Sequence, residues 1–239
     1  MSTDILVSLI ALGTSLISAV IGFGGGMLLI ATLPLFLNPH LIIPIHGITQ
    51  LASNTSRVAF SFSYVQWQLL PKFLIGSIFG MLLFGTIIFN VPLDFLPVAI
   101  GVYLILNLWV EAFSTWMRQF ESYYFVGFLQ TGLGLIVGSP GPLYLAVLTK
   151  DIQSKDQIVA TSALFSTISH IAKIPVYASL VPELQHSLLL IISMSLASII
   201  GSFIGTRLRF KADNKILIRL IKYLLTLLAI KMIVTIFFL

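Results

Sequence analysis

Cysteine is absent from the 239 residues, and acidic side chains are few: eight Asp and Glu stand against thirteen Lys and Arg. Without a thiol there is no disulfide, no thiolate metal site and no cysteine nucleophile. Charge of either sign is also scarce, at 9% of residues, where a soluble domain carries roughly 25%. Hydrophobic residues make up 58% of the chain and its mean hydropathy is +1.06. A water-soluble fold is excluded. A formal charge of +5 and a pI near 9.6 would suggest nucleic acid as the partner of a soluble protein. In a chain this apolar they point instead to basic cytoplasmic loops, with no nucleic acid involved.

What is present is a succession of long apolar runs. A run of about 20 residues crosses a hydrocarbon core of ~30 Å as a helix. Stretches such as Phe73 to Phe89 are apolar without alternation, so a β-barrel is disfavoured. The fold class expected is an all-α polytopic membrane protein of about 8–10 membrane segments. The first run, Ile5 to Ile21, has no Lys or Arg ahead of it and leads into a glycine cluster, so it reads as retained structure rather than a cleaved signal.

The chain repeats itself. An offset of 116 positions pairs Gly22 with Gly138, Gly25 with Gly141, Arg57 with Lys173 and Gly85 with Gly201, without a gap. The apolar segments follow the same order on both sides. They are Ile5–Ile21, Met27–Leu37, Leu41–Phe62, Phe73–Phe89 and Leu93–Phe113, then Tyr123–Val137, Leu143–Thr149, Gln157–Leu180, Ser187–Gly205 and Ile216–Leu239. One integral membrane domain is expected, made of a first repeat, 1–116, and a second, 117–239. A single helix over residues 5–37 would be about 50 Å long, too long for the bilayer, so a helix that stops and a half-helix that turns back is expected at each break.

Five passes or part-passes per half place Lys72, Arg118, Lys150, Lys155, Arg207, Arg209, Lys211 and Lys215 on one side and Asp4, Asp94 and Glu183 on the other. The positive-inside rule makes the first side cytoplasmic and puts both chain ends outside. With an odd number of passes, the two structural repeats are inverted relative to one another.

Two features could carry chemistry. The first is the pair of breaks, Gly22-Phe23-Gly24-Gly25-Gly26 and Gly138-Ser139-Pro140-Gly141-Pro142. Half-helices beginning there would direct free N–H groups and positive dipole ends at an anion, with Gly24, Gly25, Gly26, Ser139 and Gly141 lining the site. Close helix packing is the alternative reading. The second is a polar stripe in an apolar helix: His46, Gln50, Ser53 and Arg57 recur at spacings of four, three and four, which sets them on one face. The offset reproduces it as Ser162, Ser166, Ser169 and Lys173, with Asn54 and His170 at matching flanks and Thr49 and Thr161 thickening the faces. Polar groups inside a membrane are costly and turn towards a partner or a cavity.

No Asp or Glu occurs between Asp4 and Asp94. Arg57 therefore has no counter-charge in its own half before Asp94. It either snorkels, pairs with Glu111 or a backbone carbonyl, or meets an anionic ligand. Lys173 precedes Pro175, which should kink or end its helix. His46 and His170 are candidate carriers of a coupling proton, or neutral histidines bonding between helices. No carboxylate cluster for a metal, no nucleophile elbow and no cofactor motif is visible. Trp67, Trp109, Trp116, Tyr123 and Tyr124 lie near expected helix ends, as interfacial anchors do.

The stretch Ile21-Gly22-Phe23-Gly24-Gly25-Gly26-Met27-Leu28-Leu29, together with Val65-Gln66-Trp67-Gln68 and Val159-Ala160-Thr161-Ser162, resembles the TauE/SafE family of membrane proteins, the sulfite exporters. The likeness covers both halves. It implies a multi-pass transporter of the cytoplasmic membrane for small, mostly sulfur-containing anions such as sulfite or organosulfonates. The expectation is thus a secondary transporter of a small anion, not an enzyme, with its site at the midplane between the repeats. The lipid bilayer is its surroundings, and a coupling proton and a homo-oligomer are left open. An anion channel is the alternative, and an intramembrane enzyme or assembly factor the reading from a different class.

Overall fold

The computed structural model describes residues 3–141, 143–208 and 214–235, the side chains of Asn214, Lys215 and Leu217 excepted. Pro142, Arg209 and Lys211 of the sequence reading lie outside the described residues, as do residues 236–239. No strand occurs among the described residues. The first half contains α1 (Thr3–Ile21), α2 (Gly25–Thr32), α3 (Pro39–Phe60), α4 (Leu70–Ile88) and α5 (Leu96–Trp109), and a short α6 (Glu111–Arg118) follows. The second contains α7 (Tyr123–Val137), α8 (Tyr144–Asp151), α9 (Lys155–Ile171), α10 (Lys173–Leu180), α11 (Leu188–Leu208) and α12 (Asn214–Thr235).

Local chemistry sets these limits. Gly22 and Gly138 follow the last residues of α1 and α7 with φ of 99° and 70°, a left-handed conformation that only glycine adopts at little cost, so both helices stop at the expected breaks. Proline occupies the first turn of α3, α4 and α5, where its missing N–H would have no partner anyway. Pro175 has no N–H for the carbonyl of Ile171 and its ring crowds that carbonyl. The segment read as one run, Gln157–Leu180, is accordingly divided into α9 and α10 at Ala172. A second difference lies at Val110: the expected run Leu93–Phe113 ends there, and α6 leaves α5 at 92°.

Four helical segments are long and apolar enough to cross a membrane, Thr3–Ile21, Trp67–Ile88, Lys155–Leu180 and Pro182–Leu208, and the bent α5–α6 pair makes up to five. Helix α3 has the length but carries the polar stripe. Burial is reversed relative to a protein in water. Arg57, Lys173, Gln50 and Asn54 are buried, while Phe79, Leu82, Leu189, Leu196 and Leu227 are more than half exposed. Only an apolar solvent makes that distribution favourable, so the chain is a polytopic all-α membrane protein.

The closest helix pairs are α1 with α11 and α4 with α7. A Cβ on Gly201 or Gly205 would run into the carbonyls of Leu12 or Leu16, and one on Gly76 or Gly80 into those of Tyr124 or Phe128. Small residues thus let the backbones meet, as membrane helices without a hydrophobic driving force require. Residue numbers rise together in both pairs, which makes them parallel. In α3 and α9 they run oppositely, with His46 against His170 and Gln66 N–H bonding Thr161 Oγ1. Helices α5 and α12 are antiparallel too: Gly101 abuts Ala229 and Trp109 donates to Thr226 Oγ1 at 2.8 Å. The stacked rings of Phe73 and Phe165, 4.0 Å apart, tie α4 to α9, with Tyr123 and Tyr144 edge-on to Phe165.

Candidate functional site

Both breaks and both stripes converge on one small cavity, walled mostly by buried residues, with a free volume of about 40 Å³. Its walls include Gly24, Gly26, Gln50, Asn54 and Arg57 from the first half, and Ser139, Gly141, Ser166, Ser169, His170 and Lys173 from the second. The helices that carry them lie far apart in the chain. The α1–α2 and α7–α8 breaks meet each other directly, because an added Cβ on Gly26 would lie 3.3 Å from Ser139 Oγ, and one on Gly141 3.4 Å from Met27 Sδ.

The two cations are held in the same way. Arg57 Nη1 donates to the carbonyl of Ser18 at 3.0 Å, near the end of α1, and Nη2 to Asn54 Oδ1. Lys173 Nζ donates to the carbonyl of Gly138, at the end of α7, and to His170 Nδ1 at 2.9 Å. Both carbonyls lie at the negative end of a helix dipole, so a cation there is stabilised. Of the options open to Arg57, snorkelling is replaced by a carbonyl partner: it is 5% exposed, and Lys173 is 1% exposed. An ammonium has three donors, so one N–H of Lys173 is left over. The bond to His170 needs the Nδ1 lone pair and therefore a neutral imidazole.

Gln50 Nε2 is buried with no hydrogen-bond partner. A buried amide without a partner costs about 1–3 kcal/mol, and this one belongs to a side chain on the cavity wall. The cavity therefore offers a neutral donor beside two cations, the requirement of an oxyanion.

Four expected site residues do not reach the wall. His46 lies behind it, with Nε2 3.0 Å from the carbonyl of Gly26. Ser53 Oγ is 2.9 Å from Ser202 Oγ and serves the α3–α11 contact. Ser162 is buried with an unpartnered hydroxyl elsewhere. Gly25 is a packing residue, since a Cβ there would overlap the carbonyl of Thr14. The N-terminus of α8 is partly satisfied from within, because Gln130 Oε1 accepts the N–H of Leu143 at 3.1 Å.

Ser18, Gln130, Gly134 and Tyr144 line the cavity and escaped the sequence reading. Gln130 was open to detection as an amide within an apolar helix. Tyr144, whose hydroxyl is 2.6 Å from Ser166 Oγ, carried no periodic signal. Nor did Tyr103, which donates to the carbonyl of Pro140 at 2.5 Å and fixes the second break from α5.

A polytopic helical bundle with two broken helices and a cationic cavity between them defines the class of membrane transporters. The family model of the sulfite exporter TauE/SafE matches residues 7–232. The chain belongs to that family. No curated protein and no solved structure gives a significant match.

Proposed function

We propose that the chain is a secondary transporter of the cytoplasmic membrane that moves a small sulfur-containing oxyanion, sulfite or an organosulfonate. One observation carries this reading: a basic residue and a glycine break from each half line the same cavity. A small anion gains charge-assisted hydrogen bonds there, and the surrounding low dielectric strengthens them. Inverted repeats, 1–116 and 117–239, are the architecture that accounts for it. In support, the α3–α9 and α5–α12 pairs related by the offset run antiparallel. A proton is the coupling ion this site could use, with His46 and His170 as its candidate carriers.

The test is a thermal-shift screen of the purified protein with sulfite, sulfate, sulfonates and carboxylates, since a ligand of the folded form raises its melting temperature. Sulfite or a sulfonate should stabilise most. A response to carboxylates alone would overturn the substrate class. In liposomes a transporter gives saturable flux that answers to a counter-gradient; flux that rises linearly with concentration would favour the channel.

A further inference from the structure

A second, larger cavity lies beside the first. Its free volume is about 400 Å³, ten times that of the central cavity, and its walls include Asn107, Arg118, Ala146 and Thr149. It belongs to the side where Arg118 is exposed and where Lys150, next to the wall residue Thr149, pairs with Glu121 at 2.6 Å. Phe23, Met27 and Pro140 line both cavities, so these side chains are the partition between them. On the opposite side Lys173 borders a pocket of only about 30 Å³, lined also by Gly47, Tyr177 and Leu184. The space adjoining the central cavity is therefore unequal, about 400 Å³ on one side and about 30 Å³ on the other.

We propose that the larger cavity is a vestibule through which the anion passes between the Arg118 side and the central cavity, and that Phe23 and Met27 are its gate. The identity of the passing species rests on the transporter reading above. Phe23 and Met27 suit the role because they flank the glycines of the first break, where the chain turns with φ of 91° at Gly24. Rotation of an unbranched thioether and a ring requires little elsewhere to move. Pro140 is held from outside the wall, through its carbonyl, by Tyr103. Arg118 stands exposed at the mouth with Nε and Nη2 bonded to Ser114, a fixed positive charge that raises the local concentration of an anion.

The cysteine-free chain permits a direct test in membrane vesicles of known orientation. Ala146→Cys should react with an anionic methanethiosulfonate applied from the Arg118 side, and Ser139→Cys, behind the partition, should react slowly from that side. Adding Phe23→Ala should raise the Ser139→Cys rate about tenfold, a barrier lowered by roughly 1.4 kcal/mol. Phe23→Leu, the milder truncation, should fall between and guards against loss of folding. A Ser139→Cys rate that ignores both Phe23 substitutions, or an Ala146→Cys site unreactive from that side, overturns the gate. A cationic methanethiosulfonate separates the two readings: equal rates for both charges at Ser139→Cys would overturn the anion site and leave the gate standing.

Discussion

Arg57 and Lys173, 116 positions apart, each bind a backbone carbonyl at the end of the first helix of their own half, Ser18 for the arginine and Gly138 for the lysine. Each stripe is thereby latched to the break that precedes it in the chain, and the two latched breaks face one another across the cavity. A cation in this position has two functions: it stabilises a helix end inside the membrane, and it leaves the cavity positive.

Arg57→Gln should weaken anion binding about 10- to 100-fold, the worth of a charge-assisted hydrogen bond at roughly 1.5–3 kcal/mol. Arg57→Lys should recover part of it, because the charge remains while the planar fork is lost. Lys173→Gln should weaken binding less but lower stability more, since it releases both Gly138 and His170. Calorimetric titration and melting of the purified variants measure both effects; unchanged affinity in a folded Arg57→Gln would assign the arginine to helix capping alone.

Gln50→Leu should leave the melting temperature nearly unchanged or raise it, because its Nε2 has no protein partner and its Oε1 accepts only a long bond, 3.5 Å, from Asn54 Nδ2, which keeps the Gln50 backbone carbonyl as its acceptor. Ligand affinity should fall about tenfold if that amide donates to the anion. Equal affinity in the variant would remove Gln50 from the site.

The glycines of the first break should separate by role. Gly25→Ala drives a methyl into the carbonyl of Thr14 and should cost about 1–3 kcal/mol of stability as overpacking. Gly26→Ala places its methyl 3.3 Å from Ser139 Oγ and 3.4 Å from Gln50 Oε1, so it should reduce ligand affinity with little change in melting temperature. Melting curves with and without sulfite distinguish the two.

Single cysteines at Lys72, Arg118 and Lys150 should be labelled only from the cytoplasm, and those at Asp94 and Glu183 only from outside. An impermeant thiol reagent on intact cells reads this directly. Labelling of position 72 or 118 from outside would overturn the proposed inverted arrangement of the halves.

Much of the architecture was written in the sequence because the bilayer leaves so few options. Hydropathy alone identified the membrane class, and Gly22, Gly138 and Pro175 marked where helices stop, all through local backbone chemistry. The polar stripes were equally legible, since helical periodicity is a property of the chain. Which stripe residues face the cavity was settled only by packing. Ser53 looks as functional as Gln50 in sequence, yet α11 approaches closely enough at Ser202 to bond it, while Gln50 is left open to the cavity. Gly25 and Gly26 are neighbours with opposite roles because Thr14 of α1 lies against one and Ser139 of α8's break against the other. Contacts such as Tyr103 with Pro140 and the Phe23 partition join residues far apart in the chain, and no periodicity or propensity within a segment encodes them. The sequence determined where helices begin, end and carry polarity; the meeting of the two halves decided which of those polar groups share a cavity.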